Sequence, residues 1–130
     1  MVIDTSVVVA ILFDEDDAEN LEAAIDADPV RLMSVASVLE TSIVVETRFG
    51  EIGGRELDLL LHRVPIDVAG VTVEQLEVAR KAFRRFGKGR HPAGLNFGDC
   101  FTYALAKVSG EPLLFKGDDF AKTDVVPAAK

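Results

Sequence analysis

The chain has 130 residues, 48% of them hydrophobic, and a formal net charge of −8 from 22 acidic and 14 basic residues. That length and apolar content suit a single domain over residues 1–130 and exclude intrinsic disorder, while the lone cysteine, Cys100, excludes an internal disulfide and fits a reducing cytoplasm. No apolar run reaches membrane-spanning length, and Asp4 with the acids that follow interrupts any signal-peptide start.

The opening Val2-Ile3 reads as a buried strand that ends at Asp4. Thr5 or Ser6 is placed to cap a helix through Val7, Val8, Val9, Ile11 and Leu12, the beginning of a βαβ unit. A second helix is predicted from about Asp17 to Ala27, with Leu21, Ala24 and Ile25 inward and its acids on a solvated face. After Pro29, residues 30–33 form a second short strand, and Ser34 caps a helix that carries Glu40 among apolar residues and ends near Gly50. Gly53-Gly54 restart the chain before a short helix through Leu57, Leu60 and Leu61.

Residues 66–68 read as a third strand, and Thr72 with Gln75 three residues later opens a helix with Leu76, Ala79, Phe83 and Phe86 inward. Lys88 to Asn96 is a glycine-rich loop. Asn96 then caps a mostly buried helix whose stripe is Phe97, Phe101, Ala104, Leu105 and Val108, with Gly110 and Pro112 stopping it. Residues 113–115 are a fourth strand, Val125-Val126 a candidate edge strand, and Pro127 to Lys130 a tail. Strands alternating with helices call for an α/β fold: a mainly parallel sheet of four to five strands in a three-layer α/β/α domain, with ligands outside the carboxyl ends of the strands.

Four acidic positions share that address. Asp4 ends the first strand, Glu40 lies in the second turn of the third helix, Asp99 in the first turn of a later helix, and Asp118 and Asp119 follow the fourth strand. Each has a plainer reading, as turn acid, exposed helix residue or, for Asp99, capping-box acid. Jointly they are stronger, because clustered carboxylates must protonate or bind a cation. All-oxygen donors without His- or Cys-rich spacing suit Mg²⁺ or Mn²⁺ rather than zinc. Such an ion can activate water for in-line attack on a phosphodiester. Of the last pair, Asp119 is preferred: it precedes the apolar Phe120, which anchors it, whereas Asp118 follows the permissive Gly117. His62 and His91 lie apart with no nucleophile nearby and read as surface residues.

Charge is bipolar along the chain. Acids crowd the first quarter, whereas residues 78–98 hold no acid but carry Arg80, Lys81, Arg84, Arg85, Lys88 and Arg90. A total negative charge argues against nucleic acid, yet this span can contact RNA phosphates, with Arg84, Arg85, Lys88 and Arg90 the leading candidates. The alternative is a solvated helix face.

The motifs in this order and spacing resemble those of the PIN-domain ribonucleases, specifically the VapC toxins of prokaryotic toxin–antitoxin pairs. The resemblance rests on Val2-Ile3-Asp4-Thr5-Ser6, on Glu40, on Gly98-Asp99-Cys100 and on the segment 113–120, and runs end to end. It implies a Mg²⁺-dependent endoribonuclease acting on tRNA, rRNA or mRNA, a VapB-type antitoxin and a homodimer. Asp4 and Asp99 would be direct metal ligands, with Glu40 and Asp119 completing the catalytic set. Many relatives carry threonine at the end of strand four with Asp or Asn shortly after; here Phe115 and Gly117 stand in those places. Two other functions compete: a catalytically silent acidic binding module, and an aspartyl-phosphate phosphoryl-transfer domain, for which Lys116 would be the accompanying lysine.

Overall fold

The computed structural model describes residues 1–128. Their elements are β1 (Val2–Ile3), α1 (Thr5–Leu12), α2 (Ala18–Ala27), β2 (Leu32–Ser34), α3 (Val35–Phe49), α4 (Glu51–Arg63), β3 (Asp67–Ala69), α5 (Val73–Phe86), α6 (Phe97–Ser109) and β4 (Leu113–Leu114). A 3₁₀ turn, Phe120–Lys122, follows. The strands form one sheet in the order β3-β2-β1-β4, every pairing parallel, so β1 is central and Val2 stands between Leu32 and Leu113.

The pleat sorts the core into two halves. Ile3, Met33 and Leu114 point to the side packed by α1, α2, α3 and α4, whereas Val2, Leu113 and Phe115 face α5 and α6. This is the period-2 alternation of a strand buried on both faces, and it produces the expected α/β/α layering. Crossovers by helices keep all strands parallel and bring Asp4, Ser34 and Phe115 to the same edge of the sheet.

Several expectations shift. The candidate edge strand at Val125-Val126 reduces to a single bridge between Leu113 and Pro127. There the Leu113 N–H donates to the Val126 carbonyl and the Ala128 N–H to the Leu113 carbonyl, both at 2.8 Å. The expected tail thus begins as a pairing segment; its residues 129–130 lie outside the described residues. Gly53 and Gly54 do not break the chain but sit inside α4. A Cβ on Gly53 would lie 2.5 Å from the Val45 carbonyl oxygen, so glycine allows α4 to close on α3. Asp4, rather than Thr5 or Ser6, is the N-cap of α1.

The helix faces are the larger correction. In α5 the buried residues are Gln75, Ala82 and Phe86, while Leu76 and Phe83 are exposed. In α6 the buried face is formed by Cys100 and residues 102–106, and Phe97 is 81% exposed. In α3 the inward residues are Ser37, Thr41 and Val45, with Val35, Leu39, Ile43 and Val44 outside. Apolar periodicity marks these helices correctly but misplaces which apolar residues fill the core, because the outer surface is itself apolar.

Candidate active site

β1 delivers Asp4 to the carboxyl edge of the sheet, where its backbone turns to extended geometry (φ −81°, ψ 155°) and its side chain caps α1. The residue is 5% exposed. One carboxylate oxygen, Oδ2, accepts from the Ser6 N–H at 3.0 Å and the Ser6 hydroxyl at 2.6 Å; the other, Oδ1, accepts from the Thr102 hydroxyl at 2.9 Å. Ser6 Oγ in turn accepts from the Lys116 N–H at 3.0 Å, which ties the chain after β4 to the same corner.

Asp99 reaches that corner from α6. Asn96 and Asp99 form a complete capping box: the Asp99 N–H donates to Asn96 Oδ1 at 2.9 Å, and the Asn96 N–H to Asp99 Oδ2 at 3.0 Å. Asp99 is therefore a cap, and it is also more than a cap. Burial pushes its carboxyl from 3.8 up to about 6 against the Asn96 bond, and the charges of Asp4, Asp119 and Glu40 push the same way. Glu40 comes from the second turn of α3 and lies directly over Gly98, where any Cβ would stand 2.2 Å from Glu40 Oε2. Glycine at this position leaves room for the Glu40 carboxylate, which a side chain on residue 98 would displace.

Asp119 stands at the start of the 3₁₀ turn, exposed, next to Phe120, which is buried against Phe115 with ring centroids 5.6 Å apart. Asp119 is among the charges acting on Asp99. Among the described residues none of Asp4, Glu40, Asp99 and Asp119 enters an ion pair. Lys116 is engaged elsewhere, by Glu15 and by Asp17 at 2.9 Å. Sequence patterns do not single out Thr102 and Ser37. Their one visible signal is a hydroxyl in the apolar run of a helix, three residues from an acid of the cluster.

The donor set fits a hard divalent ion. Every candidate ligand is a carboxylate oxygen, and like charges gathered without a counter-cation favour an ion in their midst. Among the described residues no three His, Cys, Asp or Glu side chains close into a ready metal cage.

The basic span divides. Arg80 and Arg84 line a groove of about 500 Å³ with Leu76, Phe83, Phe97 and Phe101, adjoining the turn that carries Asp99. Arg90 lies over the Phe83 ring at 5.7 Å, and Lys88 is exposed in the loop. Arg85 instead pairs with Asp124 at 3.4 Å and stacks over Phe86 at 4.6 Å. His91 is half-buried, accepting from the Ala93 N–H at 3.0 Å and set edge-on to Phe86. Cys100 is a buried free thiol, its pKa raised by burial and then by Asp99, as expected of a core residue.

Comparison with known proteins gives this corner a family. The PIN domain model matches residues 1–126. The ribonuclease VapC30 of Mycobacterium tuberculosis is 63% identical over 129 residues, covering 99% of this chain and 98% of the relative. The ribonuclease VapC of Mycolicibacterium smegmatis is 67% identical over 125 residues, covering 96% and 97%. In fold, the crystal structure of Mycobacterium tuberculosis VapC20, a sarcin–ricin loop cleaving toxin, matches with a TM-score of 0.78 at 20% identity over 96% of this chain and 95% of that one. With Asp4, Glu40 and Asp99 gathered at the carboxyl edge of a parallel sheet, the chain belongs to the PIN-domain family and, within it, to the VapC ribonucleases.

Proposed function

We propose that this chain is the toxin of a toxin–antitoxin pair, a Mg²⁺- or Mn²⁺-dependent endoribonuclease of the cytoplasm that hydrolyses phosphodiester bonds of tRNA, rRNA or mRNA. The observation that carries the reading is Asp99: a carboxylate raised to about 6 by burial and by three other acids, with no cation among the described residues paired to it. Asp4 and Asp99 hold the ion, and Glu40 and Asp119 complete the acidic set. A bound Mg²⁺ supplies Lewis acidity, lowering the pKa of a water and offsetting the charge of the phosphodiester. The chain's own residues do the rest. Thr102 and Ser6 fix the Asp4 carboxylate, the capping box fixes Asp99, and Arg84, Lys88 and Arg90 hold RNA phosphates beside the site.

Lys116 favours this reading over an aspartyl-phosphate domain, since its ammonium is turned to Glu15 and Asp17 rather than to the cluster. A VapB-type antitoxin inhibits by placing a basic side chain in the acidic corner, in competition with the ion. The exposed Leu39, Ile43 and Phe97 support a homodimer, because an apolar surface of this kind marks a protein contact.

Cleavage of labelled RNA tests the function. Activity should vanish in EDTA and return with Mg²⁺ or Mn²⁺. Undiminished cleavage in chelator by a preparation shown free of other nucleases removes the metal mechanism.

A further inference from the structure

We propose that Ser37 and Thr102 form a proton-ordered hydroxyl relay that orients the Asp4 carboxylate and spaces the acids around it, which makes Thr102 a positioning residue of the site. The inference rests on the ribonuclease reading above.

The direction of the relay follows from counting protons. A carboxylate only accepts, and the Thr102 hydroxyl has one proton, which it donates to Asp4 Oδ1 at 2.9 Å. The 3.0 Å contact between Ser37 Oγ and Thr102 Oγ1 must then take its proton from Ser37. Ser37 is pinned in turn, because its carbonyl accepts from Thr41 at 2.8 Å and from Thr5 at 3.2 Å. Ser37, Thr41 and Thr102 are all buried, and each bond in such a chain polarises the next toward its end. With Ser6 on Oδ2, rotation of the Asp4 carboxylate breaks at least one of these bonds.

The sequence positions give the relay its second role. Ser37 lies three residues before Glu40 on α3, and Thr102 three residues after Asp99 on α6. Side chains at that separation share a helix face. The same two helix turns that present Glu40 and Asp99 are therefore bolted to Asp4 by the relay, and its length sets the spacing of the three acids.

Three variants and one direct observation test this. Thr102→Val keeps the shape and removes the hydroxyl; Thr102→Ser keeps the hydroxyl. Mn²⁺ affinity, read from the paramagnetic resonance of the free ion, should weaken about 10–100-fold in Thr102→Val, the usual effect of losing a group that orients a ligand. The kcat for RNA should fall with it while KM holds, and Thr102→Ser should restore both. Ser37→Ala should give a smaller loss of the same kind, and it reads the relay one step back if Thr102→Val does not fold. In metal-free wild type, NMR should show slowly exchanging hydroxyl protons on both residues, that of Thr102 directed at Asp4. Equal losses in the Val and Ser variants, unchanged Mn²⁺ affinity in both Thr102→Val and Ser37→Ala, or a Thr102 proton directed at Ser37 would overturn the relay. If the wild type neither binds Mn²⁺ nor cleaves RNA, the ribonuclease reading fails, and the NMR observation still decides the relay.

Discussion

Helix α6 carries two carboxylate networks that the chain treats in opposite ways. At its N-terminus Asp99 gathers with Asp4, Glu40 and Asp119, and its pKa rises to about 6. Along the same helix, Tyr103 and Lys107 reach Asp124, at 2.6 Å from the tyrosine hydroxyl and 3.1 Å from the ammonium, and Arg85 joins from α5 at 3.4 Å. Burial pushes Asp124 upward, but the bonds from Tyr103 and Lys107 outweigh it and hold the carboxyl below the usual range. Cations are therefore not scarce. Lys107, Arg85 and Lys116 all pair with acids outside the site. The unmatched charge at the edge of the sheet is a property of that corner, and an uncompensated carboxylate cluster is costly enough to need a reason.

The largest expected effect comes from removing charge at the unmatched corner. Asp99→Asn and Asp4→Asn should each lower RNA cleavage on the order of 10²-fold or more, the scale of losing a group that stabilises charge in the transition state. Asp99→Asn keeps an oxygen for the Asn96 N–H, so the metal-free protein should melt no lower than wild type near neutral pH. Asp99→Ala loses the reciprocal half of the capping box, the bond from the Asn96 N–H, while Asn96 keeps its own bond to the residue-99 N–H, and it should melt below the Asn variant. If the Asn variant melts as low as the Ala variant, Asp99 is chiefly structural. Among the exposed acids, Asp119→Asn should raise the Mg²⁺ requirement and Asp118→Asn should change little; the reverse ranking would move the fourth acid.

The basic span offers the next contrast, because only part of it is free. Neutralising Arg84, Lys88 and Arg90 together should weaken RNA binding and lower the salt slope by roughly one for each phosphate that is no longer neutralised. Arg85, paired with Asp124 and stacked on Phe86, should contribute less to RNA affinity than Arg84. Binding titrations across salt concentrations compare them, and equal slopes for Arg84→Ala and wild type would return this face to solvent.

At the matched network the expectation inverts. Asp124→Ala should leave cleavage near wild type while costing about 1–3 kcal/mol, since it strands the Tyr103 hydroxyl and loosens the segment that pairs with Leu113. Loss of activity without loss of melting temperature would show that the two networks are not separate.

How much of this was legible in the sequence depends on the kind of signal. Val2-Ile3 and Leu113-Leu114 announce buried strands because parallel strands are apolar on both faces, and Thr72, Ser34 and Asn96 announce helix starts by capping chemistry. The acids could be placed because strand ends and first helix turns fix where a side chain emerges. The faces of α3, α5 and α6 were only partly legible: Phe86, Ala104 and Leu105 are buried as expected. Phe97, Leu39 and Leu76 satisfy helical periodicity as well as any core residue does, and periodicity cannot tell a core from an exposed apolar surface. Ser37 and Thr102 escaped for the opposite reason: a buried hydroxyl has no pattern until its partner, 65 residues away in the chain, is known.

The smallest effect is the one that reads both networks at once, through pH. Asp99 has a folded-state pKa raised from 3.8 to about 6, so between those values the folded protein binds more proton than the unfolded chain. Stability from this group therefore falls as pH rises through that window and stays lower above it. Asp124 is depressed below 3.8; its contribution is present above the unfolded value and is lost as pH falls through the folded one. Melting of the metal-free protein in EDTA should show both. The difference in melting temperature between Asp99→Asn and wild type should be near zero at about pH 4 and become more positive toward pH 7. For Asp124→Asn the difference should be negative at neutral pH and shrink on acidification. Saturating Mg²⁺ should abolish the first trend, because a bound cation favours the ionised carboxylate against the burial and the neighbouring acids that raise Asp99, and should leave the second untouched. Parallel pH trends for the two variants would mean that the charges around Asp99 are balanced after all, and that the contrast between the two ends of α6 is not electrostatic.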